Sequence, residues 1–205
     1  MSEQADTREA LLDAGLALIA HQGWHRTTII QIAMELGAPV LEAVKLMPGK
    51  VGLLIALLDR IDASVASQTG NWSSAEPAQD RLFDAIMARF EAMQANREGV
   101  VAILKGLRLD PVAVAAITPR YDASLNATLD GAGLSADLVA GLGRRAALSA
   151  LMLDLMRVWV ADNSEDMGAT MAALGKRLEQ ANGLQAQLEN VTAGLGSVLG
   201  DAGDG

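Results

Sequence analysis

Apolar side chains recur along this chain at intervals of three and four residues, and runs that alternate one by one are missing. That is the helix period rather than the strand period. In "ADTREALLDAGLALIAHQGW", Leu11, Gly15, Leu18 and Ile19 recur behind Asp6 or Thr7 as N-cap, and Gly23 stops the helix. "TTIIQIAMELG" predicts a short second helix over about 28–36, closed by Gly37. "APVLEAVKLM" predicts a third, with Pro39 at its first position and Pro48 beyond its end. A fourth helix spans about 50–67, and "TGNWSSAEPAQ" reads as a linker over about 69–78.

Beyond the linker, Leu82, Ile86, Phe90 and Met93 form one stripe, widened by Phe83 and Met87. Shorter helices are expected near 97–108 and 111–117, and another through "TPRYDASLNATLDGAG", closed by Gly131 and Gly133. "DLVAGLGRRAALSALMLDLMRVWVAD" is long and apolar, but Arg144, Arg145, Asp154 and Arg157 interrupt it and leave no membrane-spanning run. Asp154 and Arg157 are spaced for an ion pair on one helix. Arg144 and Arg145 read as a solvated helix start, or one of them as a cap for an acidic ligand or a partner of Asp154 or Glu179. A last core helix follows the capping-box-like "SEDM". After Gly183, Leu184, Leu188, Val191, Leu195 and Val198 make an amphipathic seam, weakened by Gly194 and Gly196 at about 1 kcal/mol each. The expectation is an all-α protein of nine or ten helices. Residues 1–48 form a three-helix head, 49–182 a larger bundle, and 183–205 an amphipathic or unstructured tail.

Composition narrows the function. The 205 residues carry a net charge of −9, so nothing but a local basic cluster would draw the chain to nucleic acid. With no cysteine there is no disulfide, thiol nucleophile or thiolate metal site. His21 and His25 are the only histidines and make a poor metal site. No nucleophile motif stands near them. These residues assign no catalytic group, metal or cofactor, and the chain reads as a non-enzyme. "MSEQADTREA" lacks the pattern of a signal peptide, so a cytoplasmic protein is expected.

Gly23-Trp24, Thr27-Thr28, Ile32-Ala33, Gly37, Pro48 and Lys50 occur in the order of the TetR family's N-terminal domain, which the first 58 residues resemble without a gap. That resemblance implies a TetR-like fold with a helix-turn-helix. The recognition-helix positions nevertheless carry Pro39, Val40, Glu42, Val44 and Leu46, which offer phosphate no donor. Thr28, Lys45 and Lys50, with His25 and Arg26, remain as DNA contacts in a regulator reading.

The second part is similar to the accessory, lipid-binding family of ubiquinone biosynthesis, the ninth of the COQ proteins, which shares the TetR fold. The similarity rests on Asp80, Leu82, Met87 and Arg89, on Arg144-Arg145-Ala146, on Asp162, Ser164 and Asp166, and on Leu174, Arg177 and Leu178; Met171 stands where that family has a tryptophan. It implies an isoprenoid or other apolar ligand and a quinone-biosynthesis hydroxylase as partner. It also implies a peripheral contact with the inner membrane through 184–199. Phe83, Met87, Phe90, Met152, Met156 and Trp159 are the candidate lining residues; ordinary core packing is the other reading of the same side chains. Two functions therefore stand: a lipid-binding accessory protein, or a ligand-responsive, homodimeric TetR-type regulator that binds DNA.

Overall fold

The structure, a computed structural model, describes residues 2–69, 72, 75–134, 138–181 and 183. Among them are nine α-helices and no strand. They are α1 (Ser2–Gln22), α2 (Ile29–Leu36), α3 (Val40–Leu46), α4 (Gly49–Thr69), α5 (Ala78–Gln94), α6 (Arg97–Leu107), α7 (Pro111–Gly131), α8 (Leu138–Ala161) and α9 (168–181). The tail seam from Leu184 onward lies outside the described residues. The chain divides into two compact units, Met1–Ser149 and Ala150–Gly205, and the expected 1–48 head lies inside the first.

In the first unit, α1 packs on α2, α3, α4 and α6, while α4 packs on α5 and α7. The stripe expected on α1 is buried at Leu11, Gly15 and Ile19, together with Leu12 and Leu16. The helix starts at Ser2, ahead of the expected cap at Asp6 or Thr7, because residues 2–5 contain no breaker to stop it extending. The α2–α3 corner follows from three local devices. Thr28 caps α2 in a capping box, its hydroxyl accepting from Gln31 N while the Gln31 side chain accepts from Thr28 N. Gly37 takes a left-handed conformation at φ 69°, and its N–H returns to Ala33 and Met34 carbonyls. Ile29, Ile32, Ala33, Ala43 and Met47 are buried and hold the corner down.

Pro119 lies inside α7, where two shorter helices were expected. An interior proline costs about 3 kcal/mol in a free helix. Here α7 continues because Ala113, Leu125 and Leu129 are buried and the helix packs against α4 and α5. Thr118 Oγ1 donates to Val114 O at 2.8 Å just before Pro119.

In the second unit, Asp162 organises the turn from α8 into α9. Its Oδ1 accepts from the Ser164 hydroxyl and backbone N–H, and its Oδ2 accepts from the Thr170 backbone and hydroxyl. The Ser164 hydrogen bond, reinforced by those from Thr170, holds the carboxyl well below the usual carboxylate range. Ser164 also accepts from Gly168 N at the start of α9. The expected Asp154–Arg157 pair gives way to another: Asp154 accepts from Arg177 Nε of α9 at 2.9 Å, and Arg157 is exposed. A partner on the next helix can approach end-on, which a neighbour one turn along the same helix does less well. In the first unit Arg144 donates to Leu134 O at 2.9 Å.

Candidate functional site: the head surface and the buried arginine cluster

The outer face of α2–α3 is aliphatic. Ile30, Met34, Val40, Leu41 and Val44 are exposed there, with Met34 at 71% and Leu41 at 69%, and Leu36 is exposed at the C-terminal end of α2. Ile30 and Met34 lie one turn apart on α2, as Val40 and Val44 do on α3. Glu35 and Glu42 are exposed on the same two helices, and Lys45 is their one cation. Four of the five recognition positions, Pro39, Val40, Glu42 and Val44, are exposed, whereas Leu46 is half-buried. Leu41, the most exposed apolar residue of α3, falls between those positions, and the aliphatics of α2 fall outside the recognition helix altogether.

The remaining candidates for DNA contact divide. Thr28 is exposed, but its hydroxyl serves the capping box. Lys45 is exposed. Lys50 is half-buried, donates to Trp24 O at 3.2 Å and lies over the Trp24 ring at 4.7 Å. Its charge is engaged inward, which explains why a lysine at that place in the sequence is not evidence of phosphate contact.

Trp24 is the hub of this corner. It is buried, and its Nε1 donates to Asp110 Oδ2 at 2.9 Å. Asp110 also caps α7 by accepting from Ala113 N at 3.0 Å. The Trp24 bond, with the capping bond behind it, lowers the pKa of that carboxyl. Gly106 of α6 makes room for the indole: a Cβ there would lie 2.3 Å from the Trp24 Cβ. An open cleft of about 330 Å³ runs beside the indole, between Gln22–Arg26 and Ala102, Lys105 and Leu109.

Inside the first unit, polar chemistry gathers where apolar packing was expected. Arg89 of α5 is 2% exposed, and its Nη1 donates to Asp62 of α4 at 3.0 Å and to Thr128 of α7 at 3.2 Å. Asp62 also accepts from Ser124 at 2.5 Å and from Arg120 at 2.6 Å. Arg120 and Arg8 both reach Asp59 at 2.6 Å. Three guanidinium groups thus meet two carboxylates. Burial pushes the Asp62 carboxyl up, but the Ser124 and Arg120 hydrogen bonds and the Arg89 charge outweigh it, so its pKa is lowered. Burial lowers the pKa of Arg89 against the pull of Asp62, and burial raises the Tyr121 phenol beside it. Arg89 Nε is buried without a hydrogen-bond partner, as is Arg145 Nε. Sequence reasoning singled out Arg89 only by resemblance. Asp59, Asp62, Arg120 and Ser124 were missed, although Asp59 and Asp62 lie i, i+3 directly after the apolar run 51–58 of α4, which is the signal that would have found them.

Of the expected lining residues, Met87 and Phe90 are buried and Phe83 half-buried in the first unit. Met152 and Trp159 are buried and Met156 half-buried in the second. Among the described residues no helix is long and apolar enough to cross a membrane.

No family model and no curated protein matches the sequence. Solved structures do. A TetR transcriptional regulator from Nitrosomonas europaea superposes with a TM-score of 0.71 at 20% identity, covering 86% of this chain and 98% of its own. One from Rhodococcus sp. RHA1 gives 0.60 at 17% identity, over 85% of this chain and 95% of its own. A TetR-family regulator from Rhodococcus sp. gives 0.59 at 18% identity, over 83% and 96%. The fold is TetR-like and all-α.

Proposed function

We propose that this TetR-like chain is a ligand-binding accessory protein whose helix-turn-helix does not read DNA. The observation that carries the reading is the outer face of α2–α3, where Met34, Val40, Leu41 and Val44 stand exposed beside Glu35 and Glu42. A DNA-reading face needs donors and positive charge against phosphate. This face has aliphatic carbon, two carboxylates and Lys45 as its one cation, and Lys50 is turned to Trp24.

The ligand we propose is an isoprenoid or related lipid with an oxygen-bearing head, held in the first unit with Phe83, Met87 and Phe90 as wall. Arg89 suits the head. A buried donor without an acceptor costs about 1–3 kcal/mol, and a carbonyl or phenolic oxygen at Nε would offset that. A quinone intermediate has such oxygens. The resemblance to the ubiquinone accessory family supports this ligand class, a hydroxylase as partner, a homodimer and a peripheral membrane contact. The competing reading is a ligand-responsive regulator. The superposition with solved TetR regulators over more than four-fifths of the chain favours it, as do the exposed Arg26, Thr28 and Lys45.

Two measurements on the purified full-length protein separate them. Mass spectrometry of extracted lipid is expected to recover an isoprenoid or other apolar species, less of it from Arg89→Met. Selection against genomic duplex fragments is expected to return no preferred site. Recovery of a palindrome bound with nanomolar affinity at physiological salt would overturn the accessory reading in favour of the regulator.

A further inference from the structure

Six of the eleven large apolar side chains exposed among the described residues crowd onto α2 and α3. Single exposed aliphatics need no explanation, but a cluster of them marks a surface that meets something. The fold of this corner is already held by the buried Ile29, Ile32, Ala33, Ala43 and Met47, and the exposed cluster comes in addition to them.

Three surfaces compete to cover it. A second copy of this chain brings the same acidic rim, on a molecule of net charge −9, against Glu35 and Glu42. An anionic bilayer meets the same repulsion, and the face carries neither the aromatic residues nor the basic fringe of an interfacial helix. A helix from another protein, with an aliphatic side and cationic flanks, satisfies both features at once. We propose that the α2–α3 face docks an amphipathic helix bearing Leu- or Ile-type residues on one side and Lys or Arg along its edges. Its apolar side covers Met34, Leu41 and Val44, and its cations pair with Glu35 and Glu42. The site occupies the place where the fold presents a recognition helix, so the inference rests on the reading that this head does not contact DNA.

The test uses the full chain and a labelled synthetic helix with leucine on one face and lysine on the other, beside a counterpart with glutamate in place of lysine. Fluorescence anisotropy at physiological salt is expected to give the lysine helix roughly ten-fold tighter binding or better. The double variant Met34→Asp, Leu41→Asp, with unchanged Tm, is expected to lose that binding by a similar factor. Glu35→Lys with Glu42→Lys is expected to reverse the preference toward the glutamate helix.

Equal affinity for both helices, or binding indifferent to the two double variants, would overturn the proposal. So would sedimentation showing dimers that Met34→Asp, Leu41→Asp dissolves, which would assign the face to a second copy. Partition onto phosphatidylserine vesicles lost in the same variant would assign it to lipid. Duplex selection run in parallel keeps the two levels apart. A preferred DNA site overturns the underlying reading, whereas neither DNA preference nor helix binding overturns the docking proposal alone.

Discussion

The outer face of α2–α3 and the junction of α4, α5 and α7 invert the usual distribution of side chains. The outside of α2–α3 is largely aliphatic, and the junction of α4, α5 and α7 holds Arg89 and Arg120 both within hydrogen-bond distance of Asp62. The contrast separates what a fold requires from what it tolerates. The helix-turn-helix corner requires the Thr28 cap, the left-handed Gly37 and five buried apolar residues, and places no demand on its outer surface. The interior tolerates charge only where every carboxylate is answered, because an unanswered buried charge is far more costly than a buried methyl group.

The inversion can be broken from the inside with the largest effect. Asp62→Ala leaves Arg89 buried against Thr128 alone, and loss of one partner from a buried pair costs about 3–5 kcal/mol. The expected outcome is a large fall in Tm, and chemical denaturation of Asp62→Leu with Arg89→Met should show the double variant less damaged than Asp62→Ala. A double variant worse than the single would mean that the charges contribute net stability.

Met87→Trp tests the apolar interior next to that cluster. Overpacking a filled core costs about 1–3 kcal/mol. With a ligand present, the indole is expected to replace it, so recovered lipid falls while Tm drops little. A large Tm drop with unchanged lipid would make Met87 plain core.

A third test is set by acid. The Asp62 and Asp162 carboxyls are both held below their ordinary value of about 3.9. The unfolded chain therefore takes up those protons first on acidification. The stability they contribute is present above pH ~4 and is lost as pH falls from there toward the folded values. Melting profiles should decline over that window, and Asp162→Asn should flatten part of the decline while lowering Tm at neutral pH. A variant profile parallel to the parent's would remove Asp162 from the account.

The smallest effect is expected outside. Met34→Gln and Leu41→Gln remove no packed contact and should change stability by about 0.5 kcal/mol or less in either direction, by denaturant titration. A loss of several kcal/mol would mean that the face is covered in the isolated protein.

The fold was legible because its signals are local. Gly23, Gly37 and Pro48 punctuate the head, and the four-residue stripe of α5 dictates which side is buried. α7 was expected as two helices, near 111–117 and through the following segment, since the packing that carries it through Pro119 comes from residues distant in sequence. The exposed valines of α3 were visible from the helix-turn-helix frame. The aliphatic extension over α2 was not, because Ile30 and Met34 look in sequence like core residues of a helix eight residues long. The arginine cluster was hidden for a similar reason: its members come from α1, α4, α5 and α7.

The bond between Trp24 and Asp110 has a consequence for how the protein is made. Its two ends are 86 positions apart. At a synthesis rate of about 5–20 residues per second, roughly 4–17 s pass between the appearance of the indole and of its acceptor. Throughout that interval neither Gly106 nor Asp110 is available to cover the largest apolar side chain of the early chain. The first three helices therefore emerge with a sticky aromatic flank, and a ribosome-associated chaperone that shields tryptophan-bearing segments would find its target in residues 22–26.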